Sequence, residues 1–294
     1  MTRIIRKLLG IVRSSMGESL RTETDGRVRS IVLARPEAYN TITFALRDEL
    51  AQAIDDAEAD DSVNVILLRA EGAAFCAGYG LDWSTAAQDE ESGAERVWDP
   101  MQDFRGLSTF TDTFMKLWYA KKPTIAAVQG WCIAGGTDLV LCCDIIVAGE
   151  GARFGYPPAR VWGVPTAPLW VHRLGAEKAK RFLLTGDEIP ARDAAAMGLI
   201  LQAVGDGELQ SHAMGLAKRI AMVPMNQTMM IKLLCNQQVT GIEKTRTLAM
   251  FFDGVARHTP EGVAFVDRSK EVGFRQAVRE RDDPFGDYGS RKDD

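Results

Sequence analysis

The sequence predicts an α/β fold in which short buried strands alternate with helices through stacked right-handed crossovers. Three observations carry that expectation. Short, mostly apolar runs lie at residues 63–68, 124–128 and 144–148, the signature of strands buried on both faces. Helical spacing falls between them, at Leu46, Leu50, Ile54 and Ala57 and again at Phe104, Leu107, Phe110, Phe114 and Leu117. Glycine-bearing turns, around Gly72 and from Gly130 to Gly136, separate these segments. Strand, turn and helix in repeated succession build a largely parallel sheet.

Taken in order, residues 1–18 form a basic N-terminal extension without an acid until Glu18. Ile4, Ile5, Leu8, Leu9, Ile11 and Val12 give it an amphipathic stripe, suited to a flexible arm or short docking helix, with membrane-surface attachment as the other use. Its interrupted apolar segment and lack of a cleavage site argue against a signal peptide. Leu20–Thr24, Asp25-Gly26 and Val28–Leu33 predict a β-hairpin closed by a tight turn. Residues 43–59 predict a helix with acids on its outer face, and 83–99 a polar, irregular loop. A helix then ends before Lys121-Lys122-Pro123, Thr124–Val128 is a strand, Asp138–Cys143 a helix and Asp144–Ala148 a strand. From about residue 167 the pattern is nearly all helical. The expected organisation is an α/β core over 19–205 and a C-terminal helical region with a charged tail over 206–294.

The 294 residues include 46% hydrophobic and 26% charged, a globular balance long enough to bury a core without staples. Thirty-five Lys and Arg against 40 Asp and Glu leave a net charge of −5, which disfavours nucleic acid as a partner. The five cysteines form no CxxC pair and read as buried, reduced thiols in a cytoplasmic protein. Three histidines without metal-ligand spacing predict no metal. No apolar stretch reaches the ~18 residues of a membrane-spanning helix.

Two segments carry the candidate chemistry: Ala74-Phe-Cys-Ala-Gly-Tyr-Gly-Leu-Asp82, and Lys122 through Asp138 with its Ala134-Gly-Gly-Thr-Asp138 end. Small residues let a ligand approach the backbone, and a helix start offers free N–H groups. An N–H from each segment converging on one point makes an oxyanion hole. Asp138 falls in the first helical turn after Gly135. Gly130-x4-Gly135-Gly136-Thr137 lacks the lysine of a phosphate-binding loop, and Gly78-x-Gly80 lacks the third glycine of a dinucleotide fingerprint. Taken alone, two such turns belong more often to an ordinary α/β scaffold than to a site.

Arg35-Pro-Glu-Ala-Tyr-Asn40, AFCAG at 74–78, KPTIAAVQG at 122–130, AGGTDL at 134–139, CDIIVAG at 143–149, Arg153-Phe-Gly155, Leu184-Thr-Gly-Asp187 and Ala194–Leu199 resemble the crotonase (enoyl-CoA hydratase/isomerase) superfamily. The match runs in order from about residue 19 to 275. The resemblance implies a β-β-α superhelix with a C-terminal helical trimerisation region, a homotrimer or dimer of trimers, and an acyl-CoA substrate that brings its own CoA. No separate cofactor is expected. It places the two N–H donors at Tyr79 and Gly135 and the acid/base at Asp138. CoA and acyl contacts are implied at Arg35, Ala38, Tyr39, Ala77, Tyr79, Gly80, Leu81, Asp82 and Gly135.

The chain departs from that pattern in ways that bear on chemistry. The usual first Glu is the shorter Asp138, and the second catalytic carboxylate position is Pro158, which transfers no proton. A further acid position used by some relatives is Thr166. Tyr79, Asp82, Tyr156 and Arg160 flank the site and are candidates for a second polar group, with structural roles as the plainer alternative. The same holds for His172, and for Trp83, Trp98, Met101 and Phe104 near the expected acyl pocket. The implied activity is enoyl-CoA hydratase or isomerase chemistry with Asp138 as single acid/base. A thioester or C–C bond hydrolase and a non-catalytic acyl-CoA-binding protein are the alternatives.

Overall fold

The computed structural model describes residues 15–16, 19–79, 100–157, 165, 169–237, 260–273, 276–277 and 280. The expected loop over 83–99 and most of the N-terminal extension lie outside the described residues. The chain divides into two compact units, Met1–Lys218 and Arg219–Asp294.

The first unit is built on two sheets. β1 (Ser15–Met16), β2 (Leu20–Asp25) and β3 (Val28–Leu33) form an antiparallel edge, turned at Gly26, whose φ of 59° suits a residue without a side chain. β4 (Val65–Ala70), β6 (Thr124–Val128), β8 (Ile145–Gly149) and β11 (Gln202–Val204) continue from β3, each parallel to its neighbour. The seven-stranded order is β1-β2-β3-β4-β6-β8-β11. A four-stranded sheet takes the intervening short strands: β5 (Ala74–Cys76), β7 (Trp131–Ile133), β9 (Arg153–Gly155) and β10 (Ile189–Pro190), in the order β10-β9-β7-β5.

The chain thus deals one strand to each sheet and then a helix, three times over. α2 (Pro100–Tyr119) follows β4 and β5, α3 (Gly135–Leu141) follows β6 and β7, and α4 (Leu169–Leu183) follows β8 and β9. That is the β-β-α repeat expected of the crotonase fold. α1 (Phe44–Ala59) starts at Thr43, whose side chain accepts from the Leu46 N–H at 3.1 Å, and buries Leu46, Leu50, Ala53, Ile54 and Ala57. The core gathers Ile31, Leu50, Ile66, Phe75, Phe110, Phe114, Phe154 and Trp170, all essentially without solvent contact. α5 (Ala191–Met197) and α6 (Leu209–Ala221) complete the helices that begin in this unit.

Three expectations need correction. The turn over 130–136 contains strand β7, whose three residues are too few to show a period. The stretch after 167 is not all helical, since Ile189–Pro190 and Gln202–Val204 complete the two sheets. The helix expected from Asp138 begins three residues earlier, at Gly135. Glycine is a poor helix former, but here the helix start packs so closely that a side chain would not fit.

The second unit contains α7 (Met225–Asn236) and α8 (Pro260–Val272). Within it, Arg268 bridges Glu280 at 2.8 Å and Glu271 at 3.0 Å. Among the described residues, no helix is long and apolar enough to cross a membrane.

Candidate functional site

β5, β7 and β9 are parallel neighbours, so their C-terminal ends emerge side by side. Each delivers one candidate residue: β5 leads through Ala77 and Gly78 to Tyr79, β7 through Ala134 to Gly135, and β9 directly to Tyr156. Ligands of parallel sheets collect at such ends. The register fixes the last two, because Ile133 lies opposite Gly155 and the Ala134 N–H donates to the Gly155 carbonyl at 3.0 Å.

The close approach of these segments explains their small residues. Gly78 has φ 92°, and a Cβ there would sit 2.8 Å from the Ala134 Cβ and 3.4 Å from the Gly135 nitrogen. A Cβ on Gly135 would meet the Ile42 Cδ1 and the Tyr79 Cε2, both at 2.7 Å, and one on Gly136 the Cys76 carbonyl oxygen at 2.5 Å. Ala134 itself takes φ 52° and ψ −124°, a conformation that side chains rarely adopt and that costs on the order of 1–3 kcal/mol. That strain lets β7 pass into α3 without an intervening loop. Gly135, at the first helical position, has no carbonyl four residues back inside the helix for its N–H.

Tyr79 is held from both sides. Its ring meets Phe110 edge-on at 5.5 Å between centroids, and Ile42 forms an isolated parallel bridge with it, with the Ile42 N–H donating to the Gly78 carbonyl at 2.8 Å. Phe110 in turn packs against Phe44 at 5.3 Å, and the Arg47 guanidinium covers both rings.

Arg35, Ala38 and Tyr39 lie on a corner made by the 3-10 turn Pro36–Ala38. Tyr39 is exposed, and its carbonyl accepts from the Ala77 N–H at 3.1 Å, which ties the corner to the Tyr79 segment. Asn40 does the holding, a role that its sequence context did not reveal. Buried with φ 52°, it accepts the Arg35 N–H at 2.9 Å and donates to the Glu71 and Ala74 carbonyls, each at 2.9 Å.

Asp138 is completely buried. An ionised carboxylate taken out of water costs several kcal/mol unless donors compensate. Tyr156, 4% exposed, is buried beside it, close enough for the two side chains to interact. Burial first, then the charge of Asp138, drives the phenol's pKa far above its ordinary value, so it keeps its proton. Burial pushes the thiols of Cys132 and Cys142 well up, with nearby Asp138 as a lesser cause, and the Cys142 Sγ donates to the Asp138 carbonyl at 3.2 Å. Cys76 is pushed up to about 12 by burial.

The structure therefore brings Ala77, Tyr79, Gly135 and the Arg35–Tyr39 corner into one connected region, and pairs Asp138 with Tyr156. Gly80, Leu81, Asp82, Trp83, Trp98, Pro158, Arg160 and Thr166 lie outside the described residues, and the side chains of Met101 and Phe104 do too. His172 is exposed on α4 and packs edge-on against Trp118 at 5.4 Å. Among the described residues, no group of three His, Cys, Asp or Glu side chains is placed to hold a metal ion.

Residues 23–261 match the family described as enoyl-CoA hydratase/isomerase. A crystal structure of an enoyl-CoA hydratase from Mycobacterium smegmatis is 42% identical, with a TM-score of 0.71 over 94% of this chain and 97% of that one. Another enoyl-CoA hydratase structure from the same organism is 27% identical, with a TM-score of 0.77 over 87% and 97%. The mitochondrial enoyl-CoA hydratase of Pongo abelii is 33% identical over 198 residues, 65% of this chain and 62% of that protein.

Proposed function

The chain belongs to the enoyl-CoA hydratase/isomerase family, and from that premise we propose that it processes acyl-CoA thioesters through an enolate held in an oxyanion hole, with Asp138 as single acid/base. The observation that carries this is the packing of the Gly78-Tyr79 segment onto the start of α3, at contact distance, with a buried carboxylate one turn further on.

The thioester oxygen sits between the N–H groups of Tyr79 and Gly135. Each such donor is commonly worth ~3 kcal/mol toward the charge that develops on that oxygen. With a 2-enoyl thioester, Asp138 removes a proton from water as the C3–O bond forms. The π electrons move onto the thioester oxygen, and the resulting enolate collapses as C2 takes the proton back from Asp138. In an isomerisation the same carboxylate removes a proton from one carbon and returns it to another. One group does both tasks because the second carboxylate position of hydratases is Pro158. The carboxylate of Asp reaches ~1.5 Å less than that of Glu, so substrate binds correspondingly close to α3. The adenosine end of CoA lies at the Ala38-Tyr39 corner beside Arg35, further substrate contacts fall to Ala77, Gly80, Leu81 and Asp82 as the family resemblance implies, and CoA is the only nucleotide involved. The protein assembles as a homotrimer or dimer of trimers.

Mass spectrometry of products from saturated and trans-2-enoyl-CoAs of graded length tests the assignment. A gain of one water, or an isomer of unchanged mass and altered retention, supports it. Release of free CoA or chain cleavage would establish the hydrolase alternative. Tight binding without turnover of any thioester would establish a non-catalytic binding protein.

A further inference from the structure

If Asp138 carries the acid/base chemistry alone, as proposed above, something must keep a fully buried carboxylate charged and aimed. Among the described residues, the fold supplies a group for this. Parallel pairing of β7 with β9 sets Ile133 opposite Gly155, and the Ala134–Gly155 hydrogen bond of 3.0 Å locks the two strand ends. One residue further, α3 starts on one side and Tyr156 leaves the other. Asp138, in the first turn of α3, and Tyr156 are thereby brought to each other inside the protein, 0% and 4% exposed. We propose that Tyr156 is the positioning residue of this site: its phenol O–H donates to the Asp138 carboxylate and holds it charged and oriented, the task left open where hydratases carry a second acid.

The surrounding groups are consistent with a one-way bond. Tyr156 keeps its proton, because burial and the neighbouring carboxylate both oppose its ionisation. Tyr79 lies near the phenol, and the buried thiols of Cys132 and Cys142 lie near Asp138. Behind them, Arg173 faces Cys142 and donates to the carbonyls of Leu141 and Cys143. Burial keeps those thiols protonated, which leaves Asp138 as the carboxyl group of this cluster. A donor to the charged form of a carboxylate lowers its pKa, so loss of the donor raises it.

The test uses Y156F, which keeps the ring and removes the O–H. The Asp138 carboxyl resonance, assigned as the signal missing in D138N, is followed by 13C NMR through an acid titration in wild type and Y156F. The expected result is a higher midpoint in Y156F. The acid limb of kcat/KM then moves to higher pH, and kcat falls about tenfold with KM little changed, the scale of one charge-assisted hydrogen bond. Tyr156→Gln, which restores an N–H donor, recovers part of that rate. An unchanged midpoint and an unmoved acid limb in a folded Y156F would overturn the role of Tyr156. Wild-type turnover in D138N would instead overturn Asp138 as acid/base, so the two failures are distinguishable.

Discussion

Replacing Gly136 by Ala adds one methyl group where there is no room. Its Cβ would lie 2.5 Å from the Cys76 carbonyl oxygen and 3.0 Å from the Cys76 Cβ. Ordinary contact begins at 3.4 Å, so the start of α3 and the end of β5 must separate by the difference, 3.4 − 2.5 = 0.9 Å. The obstacle is backbone, and it cannot swing aside. Overpacking of this kind costs typically ~2 kcal/mol, which lowers Tm by roughly 3 °C in a chain of this size. The same displacement separates the Tyr79 and Gly135 donors, and a misplacement on the order of 1 Å can cost ~100-fold in rate. Gly215 provides the control, since a Cβ there meets nothing within 4 Å in the interior of α6. G215A should gain up to ~1 kcal/mol. In G136A/G215A part of the lost stability returns and none of the lost kcat/KM does. Differential scanning fluorimetry and steady-state kinetics on the four proteins decide the matter. A G136A chain within twofold of wild-type kcat/KM would refute the claim that this contact sets the donor geometry.

Three further outcomes are expected. N40A strands the Glu71 and Ala74 carbonyls and the Arg35 N–H, and should lower the urea-unfolding free energy by ~3 kcal/mol; a loss below ~1 kcal/mol would contradict the role given to Asn40. Stability should fall as pH rises above about 9, the ordinary thiol value, because Cys76, Cys132 and Cys142 bind protons in the native chain after the unfolded chain has released them. Each thiol adds a slope of up to ~1.4 kcal/mol per pH unit, and for Cys76 it continues to about pH 12; denaturant midpoints that do not change between pH 8 and 10 would refute it. Iodoacetamide at pH 8 should modify one thiol quickly by intact mass, the exposed Cys235, and all five only after unfolding.

Much of the architecture was legible because burial writes a period into the residues. The spacing of Leu46, Leu50, Ile54 and Ala57 gave α1, and the uninterrupted apolar run of Thr124–Val128 gave a strand buried along its whole length. β7, β10 and β11 were not legible, since two or three residues carry no period and their pairing is decided by distant strands. The start of α3 was hidden for another reason. Gly135 and Gly136 weaken a helix locally, and only their contacts with Tyr79, Ile42 and Cys76 show why glycine stands there. Of the candidate site, the two backbone segments and the place of Asp138 stood out by their small residues and helix start, and the resemblance assigned their roles, while the Asp138–Tyr156 pair depends on the β7–β9 register. Asn40 stood inside a quoted stretch, yet its three hydrogen bonds link residues up to 34 positions apart.

The most direct test of the central claim is the turnover of D138N with the preferred 2-enoyl-CoA, measured beside the dissociation constant for a saturated analogue. Loss of a group that transfers the proton predicts a fall in kcat on the order of 100- to 10,000-fold, with analogue affinity kept because the Tyr79 and Gly135 N–H groups are untouched. A D138N enzyme that turns over at the wild-type rate would contradict the account and move the proton chemistry to another residue.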